Sequence, residues 1–247
     1  MPAELSARER LILALDLPDV EAARAMVRRV EGAVGFFKVG LSLQLAPGAE
    51  QLVRWLLDEG KKVFLDYKYY DVPETLRKAV SQAARLGVDF LTIHGSSALI
   101  RGAVEGRGAS QLKLLCVTVL TSMDTDDMLE MGYSQHSVKD LVLFRARKAL
   151  EAGCDGVVSS GHEAEQIKAF AGDRLLVVAP GIREDDAPAD DQKRRMTART
   201  AILAGADYLV VGRPITGKPD PKAEAARTVE TIDSALAERF AVSSQRS

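Results

Sequence analysis

A short stretch of the sequence carries three charged side chains whose spacing suits a reaction centre. Asp66 and Lys68 stand two residues apart at the end of an apolar run, and Asp71 follows in the turn before Pro73. Because alternate residues of a β-strand project from the same side, Asp66 and Lys68 can face one pocket. Lys38, in an earlier apolar run, adds a second cation. We interpret this group of ammonium and carboxylate side chains as a catalytic centre.

Two simpler interpretations of the cluster remain open. Charges at a strand end commonly form a surface ion pair that contributes little. Asp71 could also serve only as the N-terminal cap of the helix that begins at Pro73, although a capping role is compatible with a catalytic one. The position of the cluster among the secondary-structure elements favours the catalytic interpretation.

Short apolar runs alternate along the chain with longer amphipathic segments. The runs are apolar almost throughout, as is typical of strands buried on both faces. They span residues 11–15, 35–39, 62–66, 89–93, 112–119, 155–159, 174–180 and 207–211. Helical patterns lie between them, and several end in a glycine, namely Gly60, Gly87, Gly153 and Gly205. Eight strand–helix units in a chain of 247 residues predict an α/β fold, a closed (β/α)8 barrel or TIM barrel, in preference to an open sheet.

Composition limits the classes of protein to which the chain can belong. Acidic and basic residues are mixed along the sequence with a net charge of −2, so no face suits nucleic acid. No apolar run approaches the roughly 20 residues needed to cross a bilayer, and the N-terminus does not read as a signal peptide. Cys116 and Cys154 lie in apolar contexts and are predicted to be reduced and buried. We expect a soluble cytoplasmic protein with one domain over residues 1–247, whose tail frays at about 241–247.

The active site of a β/α barrel is built at the carboxyl ends of its strands. Polar or special residues follow the predicted strands at that end, including Asp16, Lys38, Asp66, Lys68, His94, Thr121, Pro180, Gly212 and Arg213. This placement recurs around the whole predicted barrel and favours the catalytic interpretation of the charged cluster. His94 remains open, since it could line the pocket or be an ordinary histidine at the edge of the core.

The last two predicted strands indicate an anion site. Gly212 allows backbone N–H groups to approach an anion, and Arg213 offers a bidentate guanidinium. The loops after strands seven and eight commonly bind phosphate in this fold, although Gly212 and Arg213 could instead form a plain turn with a surface charge. The long polar segment 181–196 is predicted to be either a mobile lid or a disordered insertion. Arg183 and Gln192 would be its ligand-contacting residues.

Several other chemistries lack their sequence signatures. No set of His, Asp and Glu has metal-ligand spacing, and no Ser-His-acid or Cys-His arrangement is discernible. No glycine-rich dinucleotide fingerprint follows a strand. We therefore expect no metal and no cofactor.

The segment LDYKYYDVPET resembles the Asp-x-Lys-x-x-Asp signature of the orotidine 5′-phosphate (OMP) decarboxylase family. The resemblance extends over nearly the whole chain, since ALD, FKVG, TVLTSM, APGIR, DDQKR and VVGRPIT follow in the expected order. The chain departs from the family pattern at four positions, because the family often reads Leu-x-x-His-Asp-Ile-Pro-Asn-Thr where this chain has Tyr67, Tyr70, Val72 and Glu74. The charged positions and Thr75 are kept.

The resemblance implies a cofactor-independent decarboxylation of OMP to UMP and CO2, the last step of de novo UMP synthesis. Lys68 would protonate C6 of the pyrimidine, and Asp66 would lie near the substrate carboxylate. Lys38 and Asp16 would hold ribose hydroxyls, and Thr121 would contact the pyrimidine. The remaining implied contacts are Gln192 between base and phosphate, Pro180 in the APGIR segment, and Arg183, Gly212 and Arg213 at the phosphate. Asp71 and Thr75 would enter the neighbouring active site of a homodimer.

The chemistry explains why such residues are needed. Loss of CO2 leaves negative charge on a vinylic carbon, so a preorganised cation at that carbon stabilises the transition state and can then deliver its proton. Asp66 beside a substrate carboxylate would weaken ground-state binding relative to the transition state. Phosphate and ribose are remote from the breaking bond, so their binding energy can close a lid and position the ring.

Two alternatives remain, one an enzyme of the same superfamily and the other a protein of a different class. A related phosphosugar enzyme, such as a hexulose-phosphate synthase or a ketogulonate-phosphate decarboxylase, would use the same signature with Mg²⁺ and an enediolate. The APGIR and DDQ segments favour the nucleotide substrate over this alternative. A non-catalytic nucleotide-binding or partner-binding barrel would be expected to have lost a charge from the cluster, and none is lost.

Overall fold

The computed structural model describes residues 5–133, 135, 137–183 and 194–244. Eight parallel strands pair in sequential order, and β1 pairs with β8 to close a barrel. The strands are β1 (Leu11–Ala14), β2 (Phe36–Gly40), β3 (Lys62–Tyr69), β4 (Phe90–Ile93), β5 (Lys113–Val117), β6 (Gly156–Val158), β7 (Leu176–Ala179) and β8 (Tyr208–Val211). The predicted (β/α)8 barrel is confirmed, and every strand overlaps its predicted apolar run, although β3 continues beyond residue 66 to Tyr69.

Helices surround the barrel. Those that alternate with the strands are α2 (Val20–Arg29), α4 (Ala49–Asp58), α5 (Pro73–Leu86), α6 (Ser97–Arg107), α8 (Val138–Glu151), α9 (Ala164–Ala171), α10 (Ala198–Leu203) and α12 (Pro221–Ser244). Four shorter helices are α1 (Ala7–Arg10), α3 (Leu41–Gln44), α7 (Thr125–Glu130) and α11 (Arg213–Thr216). Pro73 occupies the first turn of α5, where a missing N–H costs nothing, and Gly87 ends that helix in the left-handed conformation with φ of 84°.

Side-chain alternation separates the inside of the barrel from its outer layer. Phe36, Phe64, Phe90 and Tyr208 point inward and pack edge to face, with the centroids of Phe36 and Phe90 5.0 Å apart. A larger cluster of Leu, Ile, Val and Ala fills the layer between strands and helices. On β2 and β3 the next inward residues after the phenylalanines are charged. The aromatic layer therefore fills the barrel interior with apolar side chains directly below a polar barrel mouth.

A repeated pattern in the sequence has a structural role at the opposite end of the strands. In LGVDFLT, AGCDGVV and AGADYLV an aspartate precedes the strand. The carboxylates of Asp89, Asp155 and Asp207 accept backbone N–H groups of the neighbouring strands at 2.8, 2.9 and 2.7 Å. These bonds satisfy amides at the start of β3, β5 and β7 and lie far from the barrel mouth, so they support the fold.

The last described helix, α12, continues to Ser244, four residues into the segment that we expected to fray. The prediction of a lid concerns residues 181–196, and its middle part, 184–193, lies outside the described residues. In the part of the chain that the structure describes, none of the helices is both long and apolar enough to cross a membrane.

Candidate active site

A cavity of about 660 Å³ opens at the carboxyl ends of the strands, a size that suits a small organic ligand. Its walls combine apolar side chains from the strand ends with charged groups. Of the residues predicted from the sequence, nine line it: Asp16, Lys38, Asp66, Lys68, Thr121, Pro180, Arg183, Gly212 and Arg213. They come from six different strands or the loops that follow them, and barrel closure brings them together.

Four of these residues form a continuous chain of ion pairs across one wall of the cavity. Nζ of Lys38 lies 3.0 Å from Oδ1 of Asp16 and 3.3 Å from Oδ2 of Asp66. Nζ of Lys68 lies 3.0 Å from Oδ1 of the same Asp66. The order is therefore Asp16–Lys38–Asp66–Lys68, with Lys38 buried in the middle and Asp16 exposed at one end.

Asp66 is the mostly buried anion that joins the two lysines. Burial by itself would raise the pKa of this carboxyl. The ammonium groups of Lys38 and Lys68, and hydrogen bonds donated by Lys68 and Thr92, outweigh burial and hold the pKa of Asp66 below its ordinary value. Asp66 is therefore ionised at neutral pH and holds a fixed negative charge between two cations.

Strand β3 is irregular where it presents these charges. Leu65 pairs with Leu91 of β4 and Tyr69 pairs with Ile93, so the register shifts between them. Lys68 has φ of 51°, and in the described part of the chain it is the only residue other than glycine with a positive φ. Such a conformation costs about 1–2 kcal/mol for a residue with a side chain. The strain lies at the lysine that faces the cavity, as is common at functional sites.

Asp71 and Thr75, which we also assigned to the active-site machinery, do not line the cavity of their own chain. Both lie on an exposed stretch, residues 70 to 75, which comprises the connection after β3 and the first turn of α5. Oδ1 of Asp71 accepts the adjacent N–H of Val72 at 2.7 Å, while Val72 itself occupies the N-cap position. The alternative in which Asp71 caps α5 is therefore wrong, because its carboxylate does not reach the second or third amide of the helix.

The opposite side of the cavity carries the groups expected at an anion. Gly212 precedes the single-turn helix α11, and Arg213 begins it with an exposed side chain. Arg183 follows β7, and its backbone N–H donates to the carbonyl of Met196 at 2.9 Å. Gln192 lies outside the described residues, so the structure does not bear on its predicted contact.

A buried ion pair that the sequence did not reveal supports this side of the cavity. Nη2 of Arg194 lies 2.7 Å from Oε2 of Glu163, and both side chains are at most 13% exposed. The N–H of Arg194 also donates to the carbonyl of Thr121 at 3.2 Å. Burial raises the pKa of Glu163, and Arg194 opposes that effect. The pair ties the segment before α10 to the loops after β5 and β6.

Gly40 is a second residue that was missed. It ends β2, and a Cβ there would lie 2.9 Å from Nζ of Lys38 and 3.0 Å from Oδ1 of Asp16. A side chain at this position would occupy the space in which the two charges meet. The only sequence signal was the glycine directly after the FKV segment.

His94 does not line the cavity, although it lies just beyond β4. Burial, with the positive charges of Arg145 and Lys68, lowers its pKa to about 4, so the imidazole is neutral at pH 7. The exposed ring of Tyr70 meets it edge to face with centroids 6.4 Å apart. Of the two possibilities left open, the structure favours a histidine beside the pocket over one within it.

No group of three or more His, Cys, Asp or Glu side chains within the described ranges could hold a metal ion. Cys116 and Cys154 are free and buried, as predicted.

Comparisons with known proteins identify relatives over nearly the whole chain. The sequence model described as "Orotidine 5′-phosphate decarboxylase / HUMPS family" matches residues 9–228. A protein of Nitrobacter winogradskyi named orotidine 5′-phosphate decarboxylase is 51% identical over 93% of this chain and 95% of its own length. One of the same name from Methylococcus capsulatus is 49% identical over 91% of this chain and 92% of its own length. The crystal structure of the orotidine 5′-phosphate decarboxylase of Lactobacillus acidophilus superposes with a TM-score of 0.78 at 33% identity, covering 90% of this chain and 98% of that one.

Proposed function

The chain belongs to the orotidine 5′-phosphate decarboxylase / HUMPS family, and we propose that it converts OMP to UMP and CO2 without a cofactor. The observation that carries the proposal is the ionic chain in the barrel mouth. The Lys68 ammonium faces the cavity beside the buried Asp66 carboxylate. A reaction that develops negative charge on carbon needs such a preorganised cation.

The charged groups of the ionic chain would each have a different role in the reaction. The bond between C6 and the substrate carboxylate breaks, the electron pair stays on C6, and CO2 leaves. The Lys68 ammonium stabilises the pair and then gives C6 its proton, after which solvent reprotonates the amine. Asp66 would face the substrate carboxylate, so that departure of CO2 relieves the repulsion between two like charges. Lys38 and Asp16 extend the same array to the side where ribose hydroxyls would bind.

The phosphate would bind on the other side of the cavity, at Arg183, Gly212 and Arg213, with Thr121 and Pro180 near the pyrimidine. Gln192, from the lid sequence, would contact base and phosphate. The cavity can accommodate a nucleotide monophosphate, and its two charged sides would hold the ends of that ligand. Binding energy from the phosphate would thus fix the position of C6 against Lys68.

The magnesium-dependent phosphosugar enzymes are the main alternative, and the family description includes more than one activity. Curated relatives at 46–51% identity all carry the decarboxylase name, which favours the nucleotide substrate. The decisive measurement is the loss of OMP absorbance with purified protein, beside a Lys68→Ala variant. No loss with the unaltered chain, or equal loss with the variant, would overturn the proposal. Activity abolished by EDTA and restored by Mg²⁺ would favour the phosphosugar alternative.

We propose further that the enzyme is a homodimer in which Asp71 and Thr75 complete the partner's site. Both residues are exposed and do not line the cavity of their own chain. Large apolar side chains are also exposed around the barrel mouth, namely Leu41, Leu45, Tyr70, Val72 and Leu120. Two of them, Leu41 and Leu120, line the cavity itself, so a partner that covered them would also close the site.

We also propose that the enzyme works in the cytoplasm. Its free, buried cysteines suit that reducing compartment.

Hybrid dimers test the shared site. If Lys68→Ala and Asp71→Ala subunits are mixed and allowed to exchange, each mixed dimer keeps one intact site, and activity returns to about a quarter of normal. Mixing Lys68→Ala with Lys38→Ala provides the matched control, because both residues serve the same chain's site and no intact site forms. If subunits exchange and the first mixture stays inactive, Asp71 does not act across the interface.

A further inference from the structure

The irregular part of β3 faces a single polar side chain. Between the pairs Leu65–Leu91 and Tyr69–Ile93, three residues of β3 lie opposite one residue of β4, Thr92. Thr92 is fully buried, and it is the only hydroxyl-bearing residue of its strand. In this gap the backbone N–H of Lys68 has a side-chain acceptor, the Thr92 hydroxyl, in place of a carbonyl of the regular ladder.

The Thr92 hydroxyl contacts both ends of the charged pair in front of it. The backbone N–H of Lys68 donates to Oγ1 of Thr92 at 2.9 Å. Oγ1 of Thr92 lies 3.0 Å from Oδ1 of Asp66, the same oxygen that accepts from Nζ of Lys68 at 3.0 Å. The three groups form a closed ring of hydrogen bonds.

The chemistry of the donors sets the direction of each bond. A peptide N–H can only donate, so the hydroxyl accepts from Lys68 and keeps its own proton for Asp66. An ionised carboxylate can only accept, which matches the charge state that the two lysines impose on Asp66. The hydroxyl thus acts both as an acceptor and as a donor, and an apolar side chain of similar size, such as that of valine, would make neither bond.

The same hydroxyl holds the strained peptide. Lys68 keeps φ of 51° while its N–H is bonded to Thr92. Without that acceptor the buried N–H would lose its partner in the gap, and the strained conformation would lose one of the contacts that maintain it. Relaxation of φ would turn the Lys68 side chain relative to Asp66.

From this arrangement we propose that Thr92 is a positioning residue, whose hydroxyl holds the Asp66 carboxylate and the Lys68 peptide in the geometry required for decarboxylation. Thr92 does not line the cavity and acts only through these two groups. The inference rests on the proposed function, since it concerns the rate of that reaction.

Two substitutions separate a hydrogen-bonding role from a packing role. Thr92→Val keeps the shape and removes the hydroxyl, whereas Thr92→Ser keeps the hydroxyl and removes a methyl group. If the hydroxyl positions the pair, Val lowers kcat by about 10- to 100-fold, as expected for a lost hydrogen bond to a charged group, and leaves KM within about twofold. Serine stays within about threefold of normal. If Thr92 only packs, valine is the better replacement and serine the worse one.

A pH profile provides a readout that packing would not change. The Thr92 hydroxyl donates to the ionised form of Asp66, so its removal raises the pKa of that carboxyl. The acidic limb of kcat/KM should therefore move to higher pH in Thr92→Val and stay in place in Thr92→Ser. Thr118→Val is the matched control, because Thr118 is equally buried just after β5 and its hydroxyl donates, among the described residues, only to the Val158 carbonyl.

Loss of kcat in Thr92→Val with retention of kcat in Thr92→Ser supports the proposal. Retention in Thr92→Val, equal losses in both variants, or an equal loss in Thr118→Val overturns it. If Thr92→Val does not fold, Thr92→Cys replaces it, since it differs from serine in one atom and hydrogen-bonds weakly. Failure of the proposed function would appear separately, as an inactive unaltered chain.

Discussion

Arg194 and Glu163 form a buried ion pair beneath the loops that bound the cavity, with Nη2 of Arg194 2.7 Å from Oε2 of Glu163. Nε and Nη1 of Arg194 are buried without a partner among the described residues. Among the described residues the guanidinium therefore bonds through Nη2 alone, and both charges are withdrawn from water. Its position next to Thr121, through the Arg194 N–H, links stability to the geometry of the site.

We expect that removal of one member of this pair destabilises the protein strongly. Glu163→Gln leaves the Arg194 guanidinium buried without a counter-charge, and Arg194→Met leaves the Glu163 carboxylate in the same condition. Each variant should lower the free energy of unfolding by about 3–5 kcal/mol. The double variant Glu163→Leu with Arg194→Met should recover much of the loss, because neither charge remains. Urea denaturation measures all three. If the double variant is no more stable than the single ones, the unpaired charge is not the cause of their loss of stability.

A methyl group at Gly40 should impair catalysis without unfolding the barrel. The added Cβ of Gly40→Ala would meet Nζ of Lys38 at 2.9 Å and force the Lys38–Asp16 pair apart. We expect kcat/KM to fall by about tenfold or more, since small displacements at a reaction centre are costly. Gly35→Ala is the control, because a Cβ at that position has no neighbour within 4 Å. Equal activity of the two variants would contradict the prediction.

Loss of the Arg213 guanidinium should affect only substrates that carry a phosphate. A charge-assisted hydrogen bond contributes roughly 1.5–3 kcal/mol, so Arg213→Ala should lower kcat/KM for OMP by about 10- to 150-fold. The nucleoside orotidine lacks the phosphate and should react at the same low rate with both proteins. Steady-state assays with the two substrates make the comparison. An equal loss for both would place Arg213 away from the phosphate.

His94 should make stability depend on pH below neutrality. Its pKa falls to about 4 in the folded protein, against an ordinary value of 6.5. As pH drops through 6.5 the unfolded chain binds a proton that the folded protein does not, so the free energy of unfolding decreases until about pH 4. NMR titration of the imidazole measures the folded pKa directly. Denaturation of His94→Asn across the same pH range should show a weaker dependence than the unaltered protein.

Both cysteines should be inert in the folded state. Burial raises the pKa of Cys116 to about 11 and also raises that of Cys154. Because the thiolate is the reactive form, a thiol reagent at pH 8 should label neither residue in native protein and both after unfolding. Rapid labelling of one thiol without denaturant would indicate local opening near β5 or the end of α8.

The sequence predicted the fold of this protein more completely than the arrangement of its candidate site. The eight apolar runs and the glycines after the helices indicated the barrel, because hydrophobic periodicity and local backbone preference are properties of short segments. The gathering of Asp16, Lys38, Asp66 and Lys68 followed from the barrel, since parallel strands expose their carboxyl ends at one edge. The expectation that Asp66 and Lys68 meet because strand residues alternate was correct in outcome, although the strand is irregular between them.

Three features depended on tertiary structure. The shift in register opposite Thr92, the space that Gly40 leaves for two charges, and the Glu163–Arg194 pair all require knowledge of which residues lie across from one another. The hydrogen-bonded partners in these groups, Lys38 with Asp16, Lys68 with Thr92 and Arg194 with Glu163, stand between 22 and 31 residues apart in the chain. Their contacts are decided by strand register and barrel closure, which no local pattern specifies. The sequence by itself thus determined which charged residues gather and at which end of the barrel they lie. Tertiary structure alone decided their order and the buried groups that hold them, because both follow from pairing between distant segments.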